Sequence, residues 1–456
     1  MYLCPMFNKP KLAIKDFDYP LPDAKIAYTP AADRAGSKLL VWDNTIIAES
    51  NYSNIAEFIP SNATLVFNNS KVIAARILFE KNNIQNTNAE NVNADKKNVS
   101  EKKLDKENIS NEIKSSSVIE IFCLEPTEKY TPLLLAMQAT EKVEWNCLVG
   151  GAKKWKEDEL TKQLQINNEQ ILFSAKKIKS EDGKFVIEFS WNHPNLTFSE
   201  ILNAIGNIPL PPYIQRKASE DDKNRYQTTY ALEEGSVAAP TAGLHFSKEV
   251  FESLNNKNIH QKYLTLHVGA GTFMPVKSDT IDAHSMHAEF IEVGDSLIQF
   301  IANKKTDPLF AVGTTSLRSI ESTYWMGVKA HLHKKKYGIN ISSSDLNLGQ
   351  WEAYELAEYN ISITDAMNAL LEWLKANHTS KLIAKTQLMV TPGYTFKICD
   401  ALITNFHQPK STLLLIIAAI TGAQWKNIYQ HALENDYRFL SYGDGCLFWI
   451  PNKTKV

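Results

Sequence analysis

The chain has 456 residues, room for two or three domains, with 44% hydrophobic and 22% charged residues. Its formal net charge of -2 excludes a binder that holds nucleic acid through a global basic excess, though not one with a local basic groove. The five cysteines, Cys4, Cys123, Cys147, Cys399 and Cys446, form no C-x-x-C pair, which argues against a disulfide framework or a zinc ribbon.

The N-terminal MYLCPMFNKPKL lacks the features of a secretory signal. The longest apolar run, Leu413–Ile420, has eight residues, against roughly 20 needed to span a bilayer. A cytoplasmic, membrane-free monomer is the expectation. Residues 81–117 hold nine Asn, seven Lys and no aromatic residue, a composition that predicts a disordered insertion. Residues 118–124, 143–149, 171–176 and 184–190 are short, β-branched and aromatic, and predict a small antiparallel β-barrel or sandwich. Beyond about residue 205 strands and helices alternate. Strands are predicted at 309–313 and 382–390. Helices are predicted at Thr314–Trp325 with Thr314 or Thr315 as N-cap, at Thr364–Asn377 with Thr364 as N-cap, at Ser411–Thr421 and at Gln424–Glu434. The polar stretch 331–348 reads as an exposed loop. The fold class expected is α/β: a main domain with a mostly parallel sheet over 1–75 and 206–456, and an inserted small antiparallel β-barrel domain over 76–205.

Five segments crowd small, polar and ring residues where a core would place Leu and Val. GSVAAPTAGLHF (235–246) ends on His245. YLTLHVGAGTFMPV (263–276) runs from a strand with His267 into Gly269, Gly271 and Thr272, but it is no dinucleotide fingerprint. In His284-Ser-Met-His287-Ala-Glu289 the HEXXH spacing is absent, so no metal is expected and proton transfer or substrate hydrogen bonding is favoured. VGTTSLRSIE (312–321) sets hydroxyls at a helix start, suited to an anion, with Arg318 and Glu321 spaced to pair with each other. LITNFHQPKSTLLL (402–415) carries Phe406, His407 and Lys410, and YRFLSYGDG (437–445) adds Arg438.

Together with YPLPDAKIAYTP (19–30), LVFNNSKVIAARIL (65–78), IPLPPYI (208–214), RYQTTYA (225–231) and PGYTFK (392–397), these segments resemble, in order, the S-adenosylmethionine:tRNA ribosyltransferase-isomerases of queuosine biosynthesis. Asn69 stands where the family often has Asp, Gln408 where it often has Leu, and 385–391 lacks an acidic residue often found there. The resemblance implies transfer and isomerisation of the ribosyl part of S-adenosylmethionine onto 7-aminomethyl-7-deazaguanine at the tRNA wobble position. Epoxyqueuosine-tRNA is the product, and adenine and methionine are released. S-adenosylmethionine is then a co-substrate, and no cofactor is needed. Expected acid/base residues are His245, His267, His287 and His407, with Glu289 as orienter or base. Gly269, Gly271, Thr272, Thr314, Thr315 and Arg318 are expected at S-adenosylmethionine. Arg225, Tyr226, Phe406, Lys410 and Arg438 are expected at tRNA, the two rings stacking on unpaired bases. The alternatives are an S-adenosylmethionine-dependent RNA methyltransferase and a non-catalytic tRNA-binding relative.

Overall fold

The computed structural model describes residues 9–80, 118–131, 133–181, 183–269, 276 and 278–451. The predicted insertion at 81–117, and Gly271 and Thr272, lie outside the described residues. The chain forms two compact units, Met1–Ala74 with Asn207–Val456, and Ala75–Gly206.

The larger unit is built on a sheet whose described strands run in the order Lys381–Thr386, Glu289–Gly294, His260–His267, Thr64–Asn68, Leu309–Val312, Ala401–Asn405, Gly445–Trp449, Lys38–Trp42 and Ile47–Asn51. Four adjacent pairs are parallel and four antiparallel, so the sheet is mixed and the expectation of a mostly parallel one is corrected. The parallel ladders hold the centre, where Thr64–Asn68, Leu309–Val312 and Ala401–Asn405 are buried along their whole length. Strands covered on both faces lose period-two alternation. Hairpin chemistry makes one edge antiparallel. Asp43 Oδ1 accepts from Thr45 N, Thr45 Oγ1 and Ile46 N, and Asn44 at φ +84° reverses the chain into the edge strand.

The predicted helix at 314 is far longer than expected, Thr314–Tyr337, and the supposed loop at 331–348 is helical over its first seven residues. Residues 314–330 are buried all round, so this stretch shows no amphipathic stripe to read. HLHKKKY is polar because the last turns leave the core; the basic side chains also suit a helix C-terminus, which Gly338 closes at φ +68°. The N-cap is Gly313 rather than a threonine, and Ser362 rather than Thr364 caps Ile363–Ala376 through Asp365 N. The strand predicted at 382–390 ends at Thr386. The two helices pack so closely at Gly327 that a Cβ there would collide with the Ala366 carbonyl. Gly327→Ala is therefore expected to destabilise by about 2–3 kcal/mol through overpacking, read as a lower denaturation midpoint at unchanged m-value.

The smaller unit is a curled antiparallel sheet in the order Arg76–Glu80, Val118–Pro126, Lys142–Gly150, Lys184–Trp191, Glu169–Glu181 and Glu159–Ile166. Lys162 Nζ on the last strand donates to Leu78 O on the first at 3.2 Å, which brings the edges together in a barrel-like form. Alternating residues fill it with stacked rings, Phe79 on Phe173, Phe173 on Phe189 and Phe189 on Phe198. Phe198 opens a helix, Phe198–Ile205, fixed by a reciprocal capping box between Thr197 and Glu200. No helix among the described residues is long and apolar enough to cross a membrane.

Candidate functional site

At the carboxyl end of Leu309–Val312, Gly313 adopts φ +91°, closed to most L-residues, and donates its N–H to Ile403 O at 2.8 Å. This turn aims the start of the long helix at the end of the neighbouring strand, Ala401–Asn405. A cleft with about 720 Å³ of open space, mouth included, lies there. Thr314 and Thr315 line one side, Thr404 to Gln408 and Ser411 another, and Pro240, Thr241 and Ala242 of the GSVAAPTAGLHF segment a third. Ser411 also caps the helix Thr412–Thr421 through Leu414 N at 3.2 Å, so two helix N-termini meet at the cleft. Thr315 Oγ1 is buried without a partner, a hydroxyl left for a ligand.

Among the described lining residues none carries a formal charge. The one imidazole of the lining, His407, is buried, and its Nε2 lies 3.1 Å from Thr404 Oγ1. Asn405 holds the floor. Its Oδ1 accepts from Thr241 Oγ1 at 2.7 Å, and its Nδ2 lies 3.2 Å from His245 Nε2 and 3.5 Å from Asp444 O. His245 stacks on the buried ring of Tyr52 at 4.3 Å. It lines a second, smaller cavity of about 260 Å³, which shares Ser441 with the cleft. Of the expected residues, Thr314, Thr315, Phe406 and His407 thus share the cleft, His245 reaches it through Asn405, and Gly269 follows the lining residue Val268 in sequence.

Burial lowers His245 to about 4 and His407 to about 3, so both are neutral imidazoles at neutral pH. Near His245 the positive fields of Arg438 and Arg34 add to the effect. An unfolded chain takes up these protons near pH 6.5, whereas the native rings resist until pH 4 or below. Stability from these rings is therefore complete above about pH 6.5 and is lost progressively as pH falls from there to the native values of about 4 and about 3, on the order of 3 kcal/mol for His245 and 5 kcal/mol for His407. His407→Asn is expected to flatten the fall of thermal midpoint between pH 6.5 and 4 relative to wild type; equal slopes in a pH series of melts would refute this.

Other expectations are corrected. Arg318 does not pair with Glu321. Its Nη1 meets Glu289 Oε2 at 2.5 Å and its Nε donates to Leu388 O at 3.2 Å, both partners being buried. Glu289 is thereby engaged in an internal ion pair, away from the cleft lining. His287 is exposed, and His267 faces Glu292 at 3.8 Å; neither lines the cleft. Tyr226 and Phe406 are fully buried, Tyr226 edge-on to Tyr442 and Phe406 among Tyr429, Tyr437 and Phe439, so neither ring offers a face for a stacking base. Lys410 is exposed and ion-paired to Asp18 at 2.8 Å, and Arg438 lies 3.8 Å from Asp444. Arg225 lines the second cavity. Asn69 Oδ1 accepts from Thr265 Oγ1 at 2.8 Å, a bond that needs no carboxylate.

Thr241, Thr404, Asn405, Ser411, Tyr213 and Ser441 are not among the candidate site residues expected from sequence, although all fall within the quoted motifs. Their shared signal is hydroxyl or amide groups at strand ends and helix starts.

A family model described as "Queuosine biosynthesis protein" matches residues 14–448. A relative from Finegoldia magna, named S-adenosylmethionine:tRNA ribosyltransferase-isomerase, is 32% identical over 440 residues, 94% of this chain and 96% of the relative. A crystal structure of an S-adenosylmethionine tRNA ribosyltransferase from Thermotoga maritima is 22% identical at a TM-score of 0.40, over 95% of this chain and 99% of that one.

Proposed function

The chain belongs to the queuosine biosynthesis protein family, and from that premise we propose that it is an S-adenosylmethionine:tRNA ribosyltransferase-isomerase. It moves the ribosyl part of S-adenosylmethionine onto the exocyclic amine of 7-aminomethyl-7-deazaguanine at the tRNA wobble position and isomerises it, releasing adenine and methionine. The observation that carries this reading is a 32% identity spread over nearly the full length of both this chain and the named relative. The cleft supports it: its described lining is uncharged, rich in hydroxyls and apolar at Val268 and Leu413, which suits a nucleoside.

The reaction needs a proton removed from carbon beside the sulfonium, a hydrogen bond or proton for departing adenine, and fixed geometry. His407 is the imidazole in the cleft lining and takes the acid/base role. Burial keeps the ring unprotonated at neutral pH, with a lone pair open to the substrate; Thr404 Oγ1, 3.1 Å from Nε2, holds the ring in place. Thr314, Thr315 and Ser411 hold the donor at the two helix starts. His245 acts through Asn405 as a positioning residue. No step calls for a cofactor.

Incubating the full chain with labelled S-adenosylmethionine and precursor tRNA should release adenine and methionine in equal amounts and add mass at the wobble nucleoside. S-adenosylhomocysteine as product would establish a methyltransferase instead, and binding with no turnover a non-catalytic relative.

A further inference from the structure

The cleft contains no cationic side chain among its described lining residues. Arg318, the cation expected near it, does not line it: its Nη1 pairs with Glu289 and its Nη2 is buried without a partner. A donor ending in a carboxylate therefore needs its counter-charge from outside the described lining. The neighbouring cavity, which shares the lining residue Ser441 with the cleft, is lined by Arg34, Arg225, His245 and Tyr442. Arg34 donates to Leu244 O at 3.0 Å and Asn224 O at 2.6 Å; Arg225 donates to Ala32 O at 3.1 Å and to Ala31 O. These partners are main-chain carbonyls, and among the described residues neither guanidinium makes an ion pair with a carboxylate. Asp33 lies at the rim, with Oδ1 taken by Ala35 N–H at 3.1 Å. Arg225 Nε is buried without a partner. The Arg225 charge is close enough to be felt at Arg34, where Asp221 acts in the opposite sense. Two guanidiniums held together by the fold without an ion pair to a carboxylate, one of them with a donor left over, suit an oxyanion.

We infer that Arg34 and Arg225 form an oxyanion pocket, and that its occupant is the α-carboxylate of S-adenosylmethionine whose nucleoside lies in the adjoining cleft. This assignment of the occupant rests on the proposed activity; the oxyanion chemistry does not. The rival source of the same chemistry is a phosphodiester of the tRNA. Ser441, which lines both, sets the cavity beside the cleft, a placement that favours one small molecule reaching from one to the other.

Inorganic phosphate should raise the thermal midpoint of the wild-type chain, and Arg225→Gln should lose most of that rise. An equal phosphate response in the two proteins would overturn the pocket. In steady-state assays of the wild-type chain, phosphate should compete with S-adenosylmethionine and not with tRNA, a measurement that needs no variant to fold. Arg225→Gln should raise KM for S-adenosylmethionine about tenfold, as expected for one charge-assisted hydrogen bond. Competition with tRNA alone, with a tRNA salt slope reduced by about 1 in Arg225→Gln, would overturn the carboxylate assignment in favour of a phosphodiester. A chain that responds to phosphate at Arg225 but releases no adenine would overturn the proposed activity and leave the pocket standing.

Discussion

Glu321→Ala is expected to leave the larger unit without a cooperative native state at 37 °C. Glu321 is fully buried on the long central helix, and its carboxylate is met by four donors. Oε1 accepts from Ile398 N at 2.9 Å and Cys399 N at 3.0 Å, and Oε2 from Lys397 N at 2.8 Å and Tyr394 Oη at 3.0 Å. Trp325 Nε1 extends the network by donating to Tyr394 Oη at 2.7 Å. Truncation orphans three main-chain N–H groups, two buried and one half-buried, at about 1–3 kcal/mol each, a total comparable with the 5–15 kcal/mol that stabilises a typical domain. Glu321→Gln keeps the volume but turns one acceptor into a donor facing other donors, so its loss should be intermediate. Near-UV circular dichroism and thermal melts check the order wild type, Gln, Ala. A Glu321→Ala protein melting within a few degrees of wild type would show that the 392–399 segment finds other partners.

That carboxylate marks where reading the chain stops working. Spacing placed Glu321 three residues from Arg318 on one helix and so predicted a local pair, but both side chains are consumed by segments remote in sequence. Local pairing is a surface rule; in a helix buried all round, tertiary partners decide. The same cause hid the helix beyond Trp325, which has no polar face until it emerges at residue 331. Glu159–Ile166 escaped notice because only Leu160 and Leu164 are buried among its polar side chains. The neighbouring strands announced themselves through alternating Val, Ile and Phe. At the cleft, motif order pointed to segments that the fold brings together, among them the one that carries His407, while the rings expected to stack on bases, Tyr226 and Phe406, are buried in the core, Phe406 beside the cleft. An aromatic side chain reads the same in sequence whether it packs or stacks. Neutral hydroxyls such as Thr241 and Thr404 draw no attention until the fold brings them together around one cleft.

Asn405→Ala should cost about 10²-fold in kcat, the scale on which misplacing a catalytic constellation by about 1 Å acts, while KM for S-adenosylmethionine changes little. Asn405 ends the strand that leads into the cleft. It ties three elements together: Thr241 of the GSVAAPTAGLHF segment, His245 behind it and the main chain at Asp444. Removing the amide frees Thr241 to rotate and leaves His245 Nε2 without its partner beside the cleft. The effect falls on geometry in the transition state, not on ground-state affinity, so kcat and kcat/KM should fall together. Thr241→Val removes only the first of these bonds and should lose less. Asn405→Asp retains the acceptor for Thr241 but places a carboxylate next to His245. An acid there favours the protonated ring and raises its pKa from about 4 toward neutrality, so the loss should be partial and the acid limb of the pH–rate profile should move upward. A purely structural role would move the melting midpoint without moving that limb. Wild-type kcat in Asn405→Ala would remove the Thr241–Asn405–His245 chain from the reaction altogether.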